Sequence, residues 1–262
     1  MPSTTRRAYI AGNWKMHKSL SEARSLAEEI ARGLPQEGAP RVGLFPNAVA
    51  LASVVDAAKP SDQLTVGAQN IYWEESGAYT GEISAEMVLG AGARSVLLGH
   101  SERRHVFGEG DEEIGRKVAR ALDAGLEPVL CVGEKLEERE SGNTEAVVAR
   151  QLKAGLDPVA DASALKRVVI AYEPVWAIGP GKTATPAQGE EVHAFLRAEL
   201  RGVFAGHGGT GDEAEETLIL YGGSVKPENA GSLLAEENID GLLVGGASLD
   251  ASSFLAICGA AA

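Results

Sequence analysis

The 262-residue chain has only two cysteines, Cys131 and Cys258. Two thiols supply no disulfide framework and suit a reducing compartment. A chain of this length buries roughly three-quarters of its unfolded surface and needs no covalent staples. Cys131 lies inside an apolar run and reads as a small core residue rather than a reactive thiol. Positive charge is scarce too: 24 Lys and Arg face 37 Asp and Glu, for a net charge of -13. Such a balance excludes nucleic acid as an expected partner, because the phosphate backbone demands a basic footprint. Any site for a small anion must therefore be built locally. No apolar run reaches 18 residues, and MPSTTRRAYIAGNW contains no apolar leader core. Neither a membrane span nor a targeting segment is expected, which leaves the cytoplasm as the expected location. Two nucleotide-binding signatures are missing as well. The first strand turns through Gly12-Asn13-Trp14-Lys15 rather than G-x-G-x-x-G. A P-loop ending at Gly181-Lys182-Thr183 would need glycine where the chain has Trp176.

What is present is a series of short, continuous apolar runs: AYIAG, RVGLF, LTVGA, SVLLG, PVLCVG, RVVIAY, TLILYGG and DGLLVGG. Runs that do not alternate are typical of parallel strands covered on both faces. Helical stretches lie between most of them. Ser19 and Glu22 form a capping box ahead of Leu26 and Ile30. Thr185, Pro186 and Gln188 mark a second helix start, leading to Val192, Phe195, Leu196 and Leu200 on one face. Asp111 precedes Ile114, Val118 and Leu122 at four-residue steps. No linker or change of composition divides the chain. Eight strands alternating with helices predict a single (β/α)8 barrel domain over 1–262, with a doubly wound sheet as the alternative.

In such a barrel the loops after the strands share one rim, so chemistry is sought at the strand ends. Those positions hold Asn13 and Lys15 after strand one, and His100, Ser101 and Glu102 after strand four. Glu173 follows strand six, Gly222-Gly223-Ser224 strand seven, and Gly245-Gly246 strand eight. A base, an acid or electrophile, a cation and two glycine-rich turns thus meet on one rim. Backbone N–H groups in such turns bind phosphate without basic side chains, which reconciles an anionic ligand with a -13 chain. Each residue also has an ordinary reading. Glu173 is one of 37 acids and His100 one of five histidines. Lys15 could be a surface lysine, and glycine pairs are usually plain turns. Position at the strand ends, with Pro174 fixing the exit after Glu173, favours the functional reading.

These residues sit in motifs that resemble the triosephosphate isomerase family along nearly the whole chain. The motifs are GNWKM (12–16), GAQNIYWEESGAYTGEIS (67–84), LLGHSERR (97–104), CVGE (131–134), AYEPVWAIG (171–179), YGGSV (221–225) and GLLVGGASL (241–249). The resemblance implies interconversion of dihydroxyacetone phosphate and glyceraldehyde 3-phosphate, a step of glycolysis and gluconeogenesis. It implies Glu173 as general base, a neutral His100 polarising the carbonyl and shuttling protons, and Lys15 stabilising the enediolate oxygen and the phosphate. Asn13 would position substrate, Ser101 would hold the resting base, and Glu102 would support from behind. The phosphate would lie on the backbone of Gly179, Ser224, Gly245 and Gly246, under a mobile lid spanning 174–184. No metal or organic cofactor is implied. The 70–84 segment, long for such a loop, would dock into a second copy, with Thr80 reaching the neighbour's site in a homodimer.

General chemistry points the same way. A proton beside a carbonyl is a weak acid, so oxyanion charge must be met by donors. A carboxylate base near neutral pH profits from a dry lid that raises its pKa. Water exclusion also protects an intermediate that would otherwise eliminate phosphate. One departure stands out: Pro180 follows AIG where the family usually has threonine, removing an N–H within the lid. The chain also reads FPNAVAL after strand two, with no effect expected on the site. A different sugar-phosphate isomerase or synthase would want other rim groups, such as an acidic pair. A non-catalytic barrel would be expected to have lost Lys15, His100 or Glu173.

Overall fold

Continuous apolar strands cannot leave a face in water, and here the sheet closes on itself. In the computed structural model, which describes residues 6–35, 38–59, 63–178 and 183–261, all eight apolar runs become strands. They are β1 Tyr9–Asn13, β2 Arg41–Phe45, β3 Leu64–Ala68, β4 Ser95–Leu98, β5 Glu127–Val132, β6 Val169–Tyr172, β7 Ile219–Tyr221 and β8 Gly241–Val244. Each pairs in parallel with its sequence neighbour, and β8 returns to β1 through Tyr9↔Gly241 to Gly12↔Val244. The (β/α)8 barrel read from the sequence is the fold, and a doubly wound sheet is excluded.

Strand alternation sorts each run into two sets. Tyr9, Ala11, Phe45, Leu97, Val129, Cys131, Val169, Ala171, Leu220 and Leu243 pack together as the barrel interior. Their neighbours Ile10, Leu44, Val96, Leu98, Leu130, Ile170 and Leu242 point outward and join the helices' apolar faces. Cys131 is therefore an interior packing residue, as its run suggested. Burial pushes its thiol well above the ordinary range, and the nearby Glu173 carboxylate adds to the effect.

The helix signals also hold. The Ser19 N–H donates to the Glu22 carboxylate at 2.8 Å, ahead of helix Leu20–Gly33. Thr185 accepts from Gln188 N at 3.2 Å, while its own N–H donates to Gln188 Oε1 at 3.0 Å. That capping box opens the 21-residue helix Pro186–Gly206. Asp111 begins its helix instead of preceding it, and receives Arg104 at 2.6 Å and Arg150 at 2.8 Å.

Helix Pro186–Gly206 also carries a buried titratable group, His193, with its Nδ1 3.1 Å from the Asn238 carbonyl oxygen. Burial between Tyr172 and Tyr221 drives its pKa down to about 3; the carbonyl contact opposes this and Arg197 assists. An unfolded histidine takes up its proton near 6.5. Between the two values the unfolded chain binds more protons, so stability falls as pH drops through that window. The expected loss attributable to His193 is about 2 kcal/mol between pH 6.5 and pH 5. Urea unfolding of wild type and His193→Gln at both pH values measures it. Equal losses in the two proteins would show that His193 does not set the acid slope.

Candidate active site

Alternation carries past the strand ends and decides what fills the upper barrel. Asn13 continues the inward series of Tyr9 and Ala11. Glu173 continues Val169 and Ala171, and Gly245 continues from Leu243. Glu173 is accordingly 2% exposed, Asn13 5% and His100 6%. Room for Glu173 comes from glycines on the two flanking strands. A Cβ at Gly133, after β5, would lie 1.8 Å from the Glu173 carbonyl oxygen. One at Gly222, after β7, would lie 2.9 Å from Glu173 Cγ.

Both oxygens of the buried carboxylate are engaged. His100 Nε2 lies 3.0 Å from Oε1, and the Ser101 N–H donates to Oε2 at 3.0 Å. Ser101 thus holds the carboxylate through its backbone. His100 itself caps the short helix Ser101–His105, and the Glu102 N–H donates to its Nδ1 at 3.2 Å. An Nδ1 that accepts from the backbone leaves the ring proton on Nε2, aimed at Glu173.

The electrostatics follow from this pairing. Burial is the largest influence on Glu173 and raises its pKa. His100, the Ser101 N–H and Lys15 together outweigh burial and hold the carboxyl below its usual range. A raised pKa is the expectation for a base dried beneath a closed lid and freed of its donors. The balance differs here because two donors already compensate the buried charge. For His100, burial lowers the pKa and Glu173 raises it, with the carboxylate prevailing while the two are paired. Proton affinity and tautomer pull in different directions here. The backbone donor at Nδ1 identifies the ring as neutral, since an imidazolium has no lone pair to accept it.

Lys15 adopts φ +50°, the left-handed region that non-glycine residues seldom occupy. It is clamped there on both sides. Its N–H donates to Asn13 Oδ1 at 3.0 Å, and its carbonyl accepts from Gln69 Nε2 at 2.8 Å. Gln69 also donates to the Phe45 carbonyl at 2.9 Å, tying the loops after β1 and β3 to the end of β2. The Lys15 ammonium pairs with Glu102 Oε1 at 2.7 Å. Lys15, Asn13, His100 and Glu173 line one cleft of about 780 Å3, together with Gly222, Gly223, Ser224, Gly245 and Gly246.

The Ser224 N–H, expected on the phosphate, donates here to the Ala177 carbonyl at 3.0 Å. The turn after β7 is thereby fastened to the start of the 174–184 segment. That start is a single turn of helix, Val175–Ala177, after Pro174. Gly179 and Pro180 fall outside the described residues, whereas Ile178 and Thr183 line the cleft. Thr80 is exposed on the 70–84 loop and does not line its own chain's cleft. Tyr72, Trp73 and Tyr79 stack within that loop, with centroid distances of 3.9 and 4.6 Å.

Two residues escaped the reading of the strand ends. Glu134, after β5, is fully buried and accepts from Tyr172 Oη at 3.1 Å and Trp176 Nε1 at 2.8 Å. It thereby anchors the start of the 174–184 segment. Gln69, after β3, clamps Lys15 as described. The rule that singled out His100 and Glu173 applies equally to these positions. Among the described residues, no cluster of three or more His, Cys, Asp and Glu could hold a metal ion.

Comparison with known proteins gives one consistent result. A family model described as triosephosphate isomerase matches residues 8–261. The chain is 50% identical over 257 residues to a triosephosphate isomerase of Stenotrophomonas maltophilia, covering 98% of this chain and 99% of that protein. Against the triosephosphate isomerase of Moorella thermoacetica the identity is 49% over 252 residues, or 96% and 98% of the two chains. That of Syntrophotalea carbinolica is 46% identical over 252 residues, covering 96% and 97%.

Proposed function

The chain belongs to the triosephosphate isomerase family, and from that premise we propose that Glu173, His100 and Lys15 divide its chemistry between them. The enzyme interconverts dihydroxyacetone phosphate and D-glyceraldehyde 3-phosphate, a step of glycolysis and gluconeogenesis. One observation carries the division of labour: a single buried carboxylate accepts from His100 Nε2 and the Ser101 N–H, within the cleft that Lys15 lines.

Glu173 is the base. To reach a substrate carbon it must release at least one of its two donors. Entry of the triose between Glu173 and His100 does this and leaves the His100 Nε2–H to donate to the substrate carbonyl oxygen. Stripped of those donors in a dehydrated cleft, the carboxylate becomes more basic at the moment it is needed. The proton leaves one carbon and returns to its neighbour from the same carboxyl group. Meanwhile His100 moves protons between the two oxygens, and the Lys15 ammonium offsets the enediolate's charge. Asn13 keeps Lys15 in its left-handed conformation, while Glu102 holds the ammonium and supplies the N–H that keeps His100 neutral.

The phosphate lies on the turns of Ser224, Gly245 and Gly246, with Gly179 closing from the lid. Because the Ser224 N–H is held by Ala177, its transfer to phosphate requires the start of the lid to move. Binding the anion and closing the lid are then one event. The coupled assay for triose phosphate isomerisation, with wild type and Glu173→Gln, tests this assignment.

The molecule works as a homodimer through the 70–84 loop, each chain being one barrel domain over 1–262 that acts in the cytoplasm. In support, exposed apolar side chains fall on the loops after four adjacent strands: Met16, Val49, Tyr79, and the pair Val106 and Phe107. Met16 is 93% and Phe107 68% exposed. Such a cluster favours burial against a partner. Among the described residues no helix is long and apolar enough to cross a membrane. Sedimentation is expected to give a dimer, and Val106→Lys with Phe107→Lys a monomer of much reduced activity. A wild-type monomer with full turnover would refute the dimer.

A further inference from the structure

The turn after β8 contains a buried hydroxyl to which neither the strand-end reading nor the chemistry above gives a role. Ser248 is 0% exposed and does not line the cleft. Its N–H donates to the Gly245 carbonyl at 2.8 Å, and its Oγ donates to that same carbonyl at 2.7 Å. The Asn13 carbonyl lies at the limit of the same hydroxyl's reach, at 3.5 Å. Two donors from one residue therefore converge on one oxygen.

That oxygen belongs to the planar, trans peptide linking Gly245 to Gly246. In such a unit the C=O and N–H point in opposite directions. Holding the Gly245 oxygen toward buried Ser248 turns the Gly246 N–H away from it, toward the cleft that both glycines line. The orientation is not one the backbone adopts unaided. Gly245 has φ −87° and ψ −109°, outside the α and β regions, and ψ sets the plane of the following peptide. The turn also adjoins the catalytic lysine: a Cβ on Gly245 would lie 3.6 Å from Lys15 Cε.

We propose that Ser248 is a positioning residue for phosphate recognition, its hydroxyl locking the Gly245–Gly246 peptide so that the Gly246 N–H faces the substrate's phosphoryl group. The inference rests on the reading that phosphate occupies this turn. Ser248→Ala removes one of the two pins and keeps the other. A donor lost from a shared acceptor corresponds to about a fivefold effect. KM for glyceraldehyde 3-phosphate and the inhibition constant of inorganic phosphate should each rise about fivefold, with kcat unchanged. Isomerisation of unphosphorylated glyceraldehyde should proceed as in wild type. Ser252, whose hydroxyl bonds to Asp250 at 2.6 Å, lies just beyond the turn, and Ser252→Ala should leave every reading unchanged.

A folded Ser248→Ala enzyme with unaltered KM and phosphate inhibition would overturn the proposal. So would equal losses on phosphorylated and unphosphorylated substrates, which would mean that the whole rim had shifted. Wild type in which inorganic phosphate does not compete with substrate would remove the phosphate turn itself, and this inference with it. Should Ser248→Ala be too unstable to assay, Ser248→Cys retains a weak donor of similar size. It is expected to raise both constants about twofold, and an affinity equal to wild type with the fold intact would also overturn the role.

Discussion

Glu173→Gln is expected to lower kcat by about 10³- to 10⁴-fold, the upper range of what a positioned general base supplies. An amide cannot take the carbon proton, yet it has nearly the volume of the carboxylate, so the cleft keeps its shape. The replaced group does not satisfy both of its present partners. Its oxygen can accept from the Ser101 N–H or from His100 Nε2, but its NH2 would meet the other donor head-on. A modest stability cost of about 1 kcal/mol follows. KM should change by less than about tenfold, because Lys15 and the turns proposed to hold phosphate are untouched. The coupled assay reads both quantities, and a variant keeping a tenth or more of wild-type kcat would remove Glu173 from the role of base. The carboxylate's lowered pKa carries a further consequence. A group with a depressed folded pKa contributes stability above its unfolded value and loses it as pH falls through the folded one. Wild type should accordingly lose this contribution in acid, while Glu173→Gln lacks it throughout.

The second large effect is expected at Gly133, a residue with no chemistry of its own. A methyl group there would sit 1.8 Å from the Glu173 carbonyl oxygen, far inside contact distance, and that oxygen belongs to backbone. Either β6 shifts outward or the end of β5 does, by about 1 Å or more. Glu173 N donates to the Val132 carbonyl at 2.8 Å just beneath, so the shift must break or stretch that bond. Misplacing a reacting group by about 1 Å costs about 10²-fold in rate. Gly133→Ala should thus lose about 10²-fold in kcat/KM and about 2 kcal/mol or more of stability from overpacking. Gly142→Ala is a useful comparison, since it has open space around it but φ +72°. It should lose some stability through strain and retain activity. Gly133→Ala with wild-type turnover would show that the barrel rim absorbs the displacement, and that glycine at this position does not set the base's location.

These two residues mark what could be read in advance. Glu173 was legible because a lone acid at the end of an apolar strand is costly to bury unless it has work and partners. Gly133 was not, because its importance lies in a contact between two strands 40 residues apart in sequence. The same division holds elsewhere. Asn13, His100 and Lys15 were found by position at strand ends. The hydrogen bonds that make them useful, Asn13 and Gln69 on the Lys15 backbone and the Glu102 N–H on His100, appear only when loops from separate strands meet. The lowered pKa of the paired carboxylate was hidden for the same reason, since the compensating donors come from β4's loop.

The sequence by itself determined the eight strands, their parallel character, the helix starts at Ser19 and Thr185, and which residues stand at the strand ends. Those features depend on local periodicity and on which face each residue must present, and both are written in the order of residues. Only the tertiary structure decided that Glu173 rests between His100 and Ser101, that Ser224 is held by Ala177, and that Ser248 grips the Gly245 carbonyl. Each is a directional contact between groups distant in sequence. Its length and angle are fixed by how the barrel closes, not by the preference of either residue.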